Sequence, residues 1–334
     1  MTNTFIIAEV GVNHNSDVGL AFEMIDAAAE SGADAVKFQA AIPDLVVTAQ
    51  APKSEYQKIN RNLQETQLDL IRSLHLPLKE FFKLKERCEK RNVVFFASAF
   101  DLVSLDFIEK LGQEFHKVPS GEITNFPYLQ KIGEFNKATL LSTGMSNINE
   151  IRDALDVLKT SGLEERKITI LHCNTQYPTP FDDVNLRVLK TLRDSFGTAV
   201  GYSDHTDGFL VAVAAVALGA TVIEKHFTLN QNLPGPDQKA SLEPSNFRSM
   251  VESIRNIEVA MGSDKKTLTK SESENITLVR RSIVASKPIK EGEQFSSDNI
   301  VAKRPANGLS PMRWNLVIGK QAKRDFHKDE LIEL

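Results

Sequence analysis

Short runs of β-branched, aliphatic and aromatic residues recur along the chain, separated by longer stretches whose apolar positions fall three and four apart. This alternation predicts strand-helix units around a parallel sheet. Eight strands are expected, over residues 5–8, 35–38, 93–97, 115–118, 139–141, 168–171, 199–202 and 222–224. The segments between them carry helix punctuation. Asp17 stands before Ala21, Met24, Ile25 and Ala28 at helical spacing and Gly32 closes the segment, with similar signals over 147–162 and 207–219.

Polar residues at the carboxyl ends of these runs decide the topology. They include Glu9, Lys37, Gln39, Ser98, Asp101, Lys117, Ser120, Glu122, Ser142, Thr143, His172, Asn174, Ser203, Asp204, His205, Glu224 and His226. An open sheet gathers its chemistry at one switch point, whereas a barrel brings all eight strand ends to one face. The expected fold class is therefore α/β, a (β/α)8 TIM barrel over residues 1–262. One long connection, 40–64, holds Pro43, Pro52 and Lys53 and is expected to lie over the site. Beyond Gly262, residues 263–281 are rich in serine, threonine, lysine and glutamate and read as a linker. Residues 282–334 change texture, with short β-like runs and turn signals, and about 53 residues make a marginal core, so this unit is expected to dock on something.

Composition narrows the function. A chain of 334 residues with 41% hydrophobic and 25% charged residues builds a core without staples, and two cysteines, Cys88 and Cys173, make no disulfide framework. The longest nearly apolar stretch, 209–223, is too short for a membrane span, and no signal peptide is read at the start. A reducing cytoplasm is the expected location. The net charge of −4 gives no footprint for nucleic acid, while the +2 of residues 282–334 against −6 on the rest permits complementary docking.

Three constellations carry candidate chemistry. Lys37 and Lys117, with Ser120, Gly121 and the Ser142-Thr143-Gly144 turn, offer charge and directed donors to a phosphorylated anion, or barrel-interior salt bridges with Glu9 or Glu122. His205 and His226 close neighbouring strands and could share one cation, or act as a base and its hydrogen-bonded neighbour. Glu9, Glu122 and Asp237 are carboxylates for proton transfer, for orienting hydroxyls or for pairing with lysines. His172 reads as a packing residue.

Nine motifs in order then resemble the bacterial sialic acid (nonulosonic acid) synthases of the N-acetylneuraminate/legionaminate type. They are Ala8 to Asn15, Val36-Lys37-Phe38-Gln39, Lys117 to Glu122, Leu141 to Met145, His172 to Pro180, Gly201 to Thr206, Glu224 to Thr228, Gly235-Pro236-Asp237 and Lys303-Arg304-Pro305. The tail is similar to that family's antifreeze-protein-like (SAF) β-rich domain. The resemblance implies condensation of phosphoenolpyruvate with an open-chain N-acetylmannosamine-type sugar to a nine-carbon 2-keto acid, with water addition and C–O cleavage. It implies N-acetylneuraminate as product, or legionaminic acid from 2,4-diacetamido-2,4,6-trideoxymannose.

Carried over by position, Lys37, Ser98, Lys117, Ser120, Ser142 and Ser203 are expected to bind phosphoenolpyruvate, and His205 and His226 a divalent metal, most often Mn2+. Glu9, Tyr177 and Asp237 match sugar-contacting positions, Asn174 or Thr175 touches ligand, and Glu122 is the candidate for proton handling. Arg304 is expected to reach the sugar site of a partner subunit in a domain-exchanged homodimer. Three positions depart from the family pattern: Ala97-Ser98-Ala99-Phe100 stands for Ser-Thr-Pro-Phe, the amide and hydroxyl order differs at Asn174-Thr175, and Gln238 replaces a histidine. Two rivals remain: a Schiff-base aldolase, for which strand 168–171 has no lysine, and a non-catalytic carbohydrate-binding protein.

Overall fold

The computed structural model describes residues 3–52 and 66–334, which form two compact units, Met1–Gly262 and Ser263–Leu334. The first is a (β/α)8 barrel. Its strands are β1 (Phe5–Gly11), β2 (Ala35–Ala40), β3 (Val94–Ala99), β4 (Phe115–Val118), β5 (Ala138–Ser142), β6 (Ile168–His172), β7 (Ala199–Asp204) and β8 (Val222–His226). They pair in parallel in the order β3-β2-β1-β8-β7-β6-β5-β4, so among the described residues only the β3/β4 joint lacks a ladder. Side chains fasten that joint. The Ala97 N–H on β3 donates to Oε1 of Gln113 (2.9 Å), and Gln113 Nε2 donates back to the Ala97 carbonyl (3.3 Å). The Tyr128 hydroxyl lies 3.0 Å from the Ala99 carbonyl on β3 and 3.3 Å from that of Lys117 on β4. Edge groups that would otherwise be orphaned in a buried setting are thereby satisfied.

Several strands run one to three residues further than the apolar pattern predicts: β1 includes Glu9, β2 Gln39, β3 Ser98, β5 Ser142, β7 Ser203 and β8 His226. In a barrel the inner face continues upward as a pleated surface, so polar side chains can sit on strand rather than loop. Period-two alternation then sorts them by depth. A lower layer of Ile7, Ala35, Phe96, Leu140, Leu171 and Val222 plugs the barrel. Gly201 belongs to this layer, and a Cβ there would lie 2.5 Å from Leu171 Cδ2. Two residues further along the same strands stand Glu9, Lys37, Ser98, Ser142, Ser203 and Glu224, and Lys117 on β4 joins them by reaching Glu224 with its ammonium.

Outside the strands, helices bury their predicted stripes. Helix Val18–Glu30 is capped by Asp17, which accepts from Gly19 and Leu20 N–H groups, and buries Ala21, Met24, Ile25 and Ala28. Asn147 and Glu150 form a capping box for Ile148–Thr160. Of the long connection predicted to cover the site, residues 53–65, and Lys53 with them, lie outside the described residues. Its start contains the one-turn helix Pro43–Val46, and helix Gln67–Leu74 follows it.

The second unit pairs β9 (Ser282–Ala285) with β10 (Ile300–Lys303) antiparallel. Its small core gathers Ile283, Ile289, Phe295, Ile300, Val317, Phe326 and Ile332. The stretch 263–281, read as a linker, contains helix Lys270–Val279, none of whose residues is buried. The end of that helix is tied to the β10 turn, Ala306 N–H donating to the Thr277 carbonyl (2.8 Å) and Arg304 Nε to that of Val279 (2.8 Å).

Candidate active site

Strand register sets the centre of the site. Glu9 stands level with Lys37 on one neighbour and with His226 on the other, and Ser203 is level with Glu224. Inward-facing side chains therefore meet across the barrel axis. Lys117 Nζ donates to both oxygens of Glu224 (2.8 and 2.9 Å), and the Ser203 hydroxyl donates to the same carboxylate (2.9 Å). Lys37 Nζ lies 2.8 Å from Glu9 Oε2 and 3.6 Å from Glu224 Oε2, while Gln39 Nε2 donates to Glu9 Oε1 (3.1 Å). All four charged groups are buried.

Burial penalises each charge and pairing decides which survive. Burial alone would raise Glu224, but Lys117 and Lys37 beside it hold its carboxyl well below the ordinary range. For Glu9 burial wins: its pKa is raised despite Lys37, with Glu224 adding repulsion. Lys37, between two carboxylates, is raised against the pull of burial. Lys117 is lowered by burial, with Lys37 nearby opposing its charge. Asp237, just beyond β8, is pushed up to about 7 by burial and then by Glu9.

Above this floor stand the two histidines. Burial holds His205 down at about 4 and pushes His226 well below its ordinary value, with the neighbouring His205 and Lys37 adding to the effect, so burial favours the neutral form of both rings. Their centroids are 5.4 Å apart. His205 Nδ1 is bonded to the Asn174 carbonyl, and Tyr177 stacks on its ring with centroids 4.1 Å apart and its hydroxyl 3.1 Å from Nε2. His226 Nδ1 is buried with no hydrogen-bond partner among the described residues. Behind them, facing away from the axis, a buried Lys225–Asp204 pair (3.1 Å) braces the turn: Lys225 Nζ donates to the Thr206 carbonyl and Asp204 accepts from Thr206 N–H. Imidazoles at the ends of adjacent strands, one with a nitrogen unpartnered among the described residues, fit a divalent cation. Among the described residues no third histidine, cysteine or carboxylate joins them in a metal-binding group.

A cavity of about 710 Å³ opens over the cluster. It is lined by Glu9, Lys37, Ser98, Lys117, Ser120, Ser142, Thr175, Tyr177, Ser203, His205, His226 and Asp237, all anticipated from sequence. The Ser120 hydroxyl accepts from Gly144 N–H (3.0 Å), and Gly144 has no room for a side chain: a Cβ there would lie 2.6 Å from Thr175 Cγ2.

Two expected residues are placed differently. Glu122, on the turn Ser120–Glu122, does not line the cavity; its carboxylate accepts from Asn125 (2.6 Å) and burial raises its pKa. Asn174 turns its side-chain oxygen to Gln176 N–H (2.7 Å) and contributes its carbonyl to His205, leaving Thr175 as the cavity residue. Arg304 belongs to the second unit. Gln238, the departure beside Asp237, is buried and donates to the Asn13 carbonyl (2.9 Å) as a loop tether. His172 bonds the Val184 carbonyl (2.7 Å), the packing role expected of it.

Glu224, Gln39, Gln67 and His75 also line the cavity and were not singled out as site residues from sequence. For Glu224 a signal exists: if His226 faces the axis, period two puts Glu224 beside it and Lys225 behind.

Comparison with known proteins agrees with this architecture. The NeuB family matches residues 24–266 and the SAF domain residues 280–333. The chain is 50% identical to N,N'-diacetyllegionaminic acid synthase of Campylobacter jejuni over 99% of both chains. It is 42% identical to the enzyme of the same name from Legionella pneumophila, over 95% of this chain and 90% of that one. The crystal structure of N-acetylneuraminic acid (sialic acid) synthetase from Leptospira borgpetersenii matches with a TM-score of 0.72 and 34% identity, over 82% of this chain and 90% of that one. The chain belongs to the NeuB family of sialic acid synthase-type enzymes, with a SAF domain following its barrel.

Proposed function

We propose that the enzyme condenses phosphoenolpyruvate with an open-chain N-acetylmannosamine-type sugar, releasing phosphate and a nine-carbon 2-keto acid. The observation that carries this reading is the buried Lys37–Glu224–Lys117 bridge at the floor of the cavity. Glu224 fixes two ammonium groups before any anion arrives, so little reorganisation is needed when phosphate enters. Hydroxyls of Ser98, Ser120, Ser142 and Ser203 supply directed donors around it.

In the reaction, C3 of phosphoenolpyruvate bonds to the aldehyde carbon, water adds at C2, and the C2–O bond to phosphate breaks. The aldehyde oxygen must gain a proton and the water must lose its protons. Asp237, poised near pH 7, suits delivery to the sugar oxygen, and Glu9, raised beside Lys37, suits collection from water. Glu122 is the weaker candidate, because its carboxylate faces Asn125.

Lys37 and Lys117, set against Glu9 and Glu224, leave no surplus positive charge for a phosphate and a carboxylate. His205 and His226 would hold a divalent metal, Mn2+ by expectation, which would supply that charge and a Lewis acid for the aldehyde. Arg304, exposed on the second unit, is proposed to serve the sugar end of a partner subunit's cavity in a domain-exchanged homodimer. A second reading, the same chemistry on 2,4-diacetamido-2,4,6-trideoxymannose giving legionaminic acid, is favoured by the 50% identity to a synthase of that name.

Purified protein with manganese and phosphoenolpyruvate is expected to release phosphate on addition of either N-acetylmannosamine or the trideoxy sugar. No release with both defeats the proposal. Borohydride trapping of a pyruvate adduct would favour an aldolase, although strand β6 has no lysine and Lys167, before it, donates to the Asn136 carbonyl (2.8 Å). Sugar binding without turnover, indifferent to chelator, would favour a non-catalytic binding protein.

A further inference from the structure

The cavity has two unlike halves. Its floor is ionic, but the side formed by the β1 loop, the residue after helix Pro43–Val46 and helix Gln67–Leu74 is apolar, built from Val12, Val47, Leu70, Ile71 and Leu74. Val12, Leu70 and Leu74 pack into a small buried cluster of their own, which backs the half-buried Val47 and Ile71. Two polar side chains interrupt it. His75 has its Nδ1 engaged by the Ile71 carbonyl (3.0 Å). Gln67 presents a side-chain oxygen that is buried and has no hydrogen-bond partner among the described residues.

A buried amide oxygen without a partner is costly unless a ligand supplies a donor. On an otherwise apolar wall, the fitting ligand surface is a methyl-rich one with a single N–H. The reacting carbon of the acceptor must stay over the ionic floor, so this wall faces the sugar's distal carbons. Hydroxyls at those carbons would lose water against Val47 and Ile71 with nothing to replace it. A C6 methyl and an acetamido methyl would bury apolar area there, and the acetamido N–H would meet Gln67.

We infer that Gln67 and Ile71, with Val47, are the acceptor-selecting residues of this enzyme, favouring a 6-deoxy hexose with a second acetamido group over a hexose hydroxylated at those carbons. The inference rests on the synthase reading above and deepens it. Apolar pockets discriminate by about 10- to 200-fold per missing or added small group, and that range sets the expectation.

The test compares kcat/KM for 2,4-diacetamido-2,4,6-trideoxymannose and for N-acetylmannosamine, with phosphoenolpyruvate saturating and manganese present. The wild type is expected to favour the trideoxy sugar by about 10-fold or more. Ile71→Asn and Gln67→Leu should each reduce that preference by about 10-fold, through KM for the trideoxy sugar, with KM for phosphoenolpyruvate unchanged. Ile71 is only half-buried, and Ile71→Thr, which keeps the branched shape, carries the same expected direction should the asparagine variant fail to fold. A wild type that prefers N-acetylmannosamine overturns the inference while leaving the synthase reading intact. So do variants that keep the wild-type preference. Absence of turnover with both sugars takes down the synthase reading and this inference together.

Discussion

Two layers inside the barrel lie two residues apart on the same strands, equally buried and opposite in chemistry. The lower one, Ile7, Phe96, Leu140, Leu171 and Val222, is apolar and holds the strands together through packing. The upper one, Glu9, Lys37, Lys117 and Glu224, consists of charges that would be very costly alone and persist because each has a partner within about 3 Å. The lower layer tolerates changes of chemistry little and changes of detail more, since hydrophobic surface is non-directional. The upper layer depends on every member, because removing one strands another.

That contrast can be broken in graded ways. The largest effect is expected from Glu224→Ala, which leaves Lys37 and Lys117 facing each other: about 3–5 kcal/mol of stability should go, together with measurable turnover. Denaturant melts and phosphate release check both, and a stable, active variant would end the claim that this carboxylate organises the floor. Next, Leu171→Ala in the plug should cost about 2–5 kcal/mol while activity per folded molecule stays within a few-fold, separating the layers by function.

Third, Asp237→Asn should lower turnover by about 10²–10⁴-fold and remove a pH limb near 7. The sign follows from its raised pKa: the folded chain keeps a proton that the unfolded chain has lost above its ordinary value of 3.8. Stability therefore declines as pH rises from about 4 to about 7, and the asparagine variant should lack that decline in pH-dependent melts. Smallest, Arg304→Ala should raise KM for the sugar by about 10-fold, as one lost charge-assisted contact would, without affecting phosphoenolpyruvate. Mixing it with an inactive Glu224→Ala chain tests whether one copy's tail serves the other's cavity.

Much of this was legible before the structure because barrels place chemistry at strand ends, and eight apolar runs each finishing in polar residues admit few other arrangements. Depth was not legible. The apolar runs stop at Ala8, Ala97 and Tyr202, just short of Glu9, Ser98 and Ser203, whereas the pleat carries these three on the sheet itself. Glu224 was named only among strand-end residues, since nothing in its local sequence announces two lysines on β2 and β4. Glu122 and Asn174 sit beside the right positions, but turn geometry aims one at Asn125 and the other at Gln176. The apolar wall was not legible because nothing in the sequence of 67–74 separates cavity-facing apolar residues from ordinary helix core.

The β3/β4 joint has a kinetic consequence. Seven joints of the barrel are zipped by repeated backbone bonds, and this one is buttoned by a glutamine and a tyrosine. A zipped joint opens only cooperatively, whereas a button can release by rotation of one side chain. Amide exchange at Ala97 should then report the breathing of the ring at this joint, and Gln113→Ala should speed that exchange while Tyr128 still bridges β3 and β4.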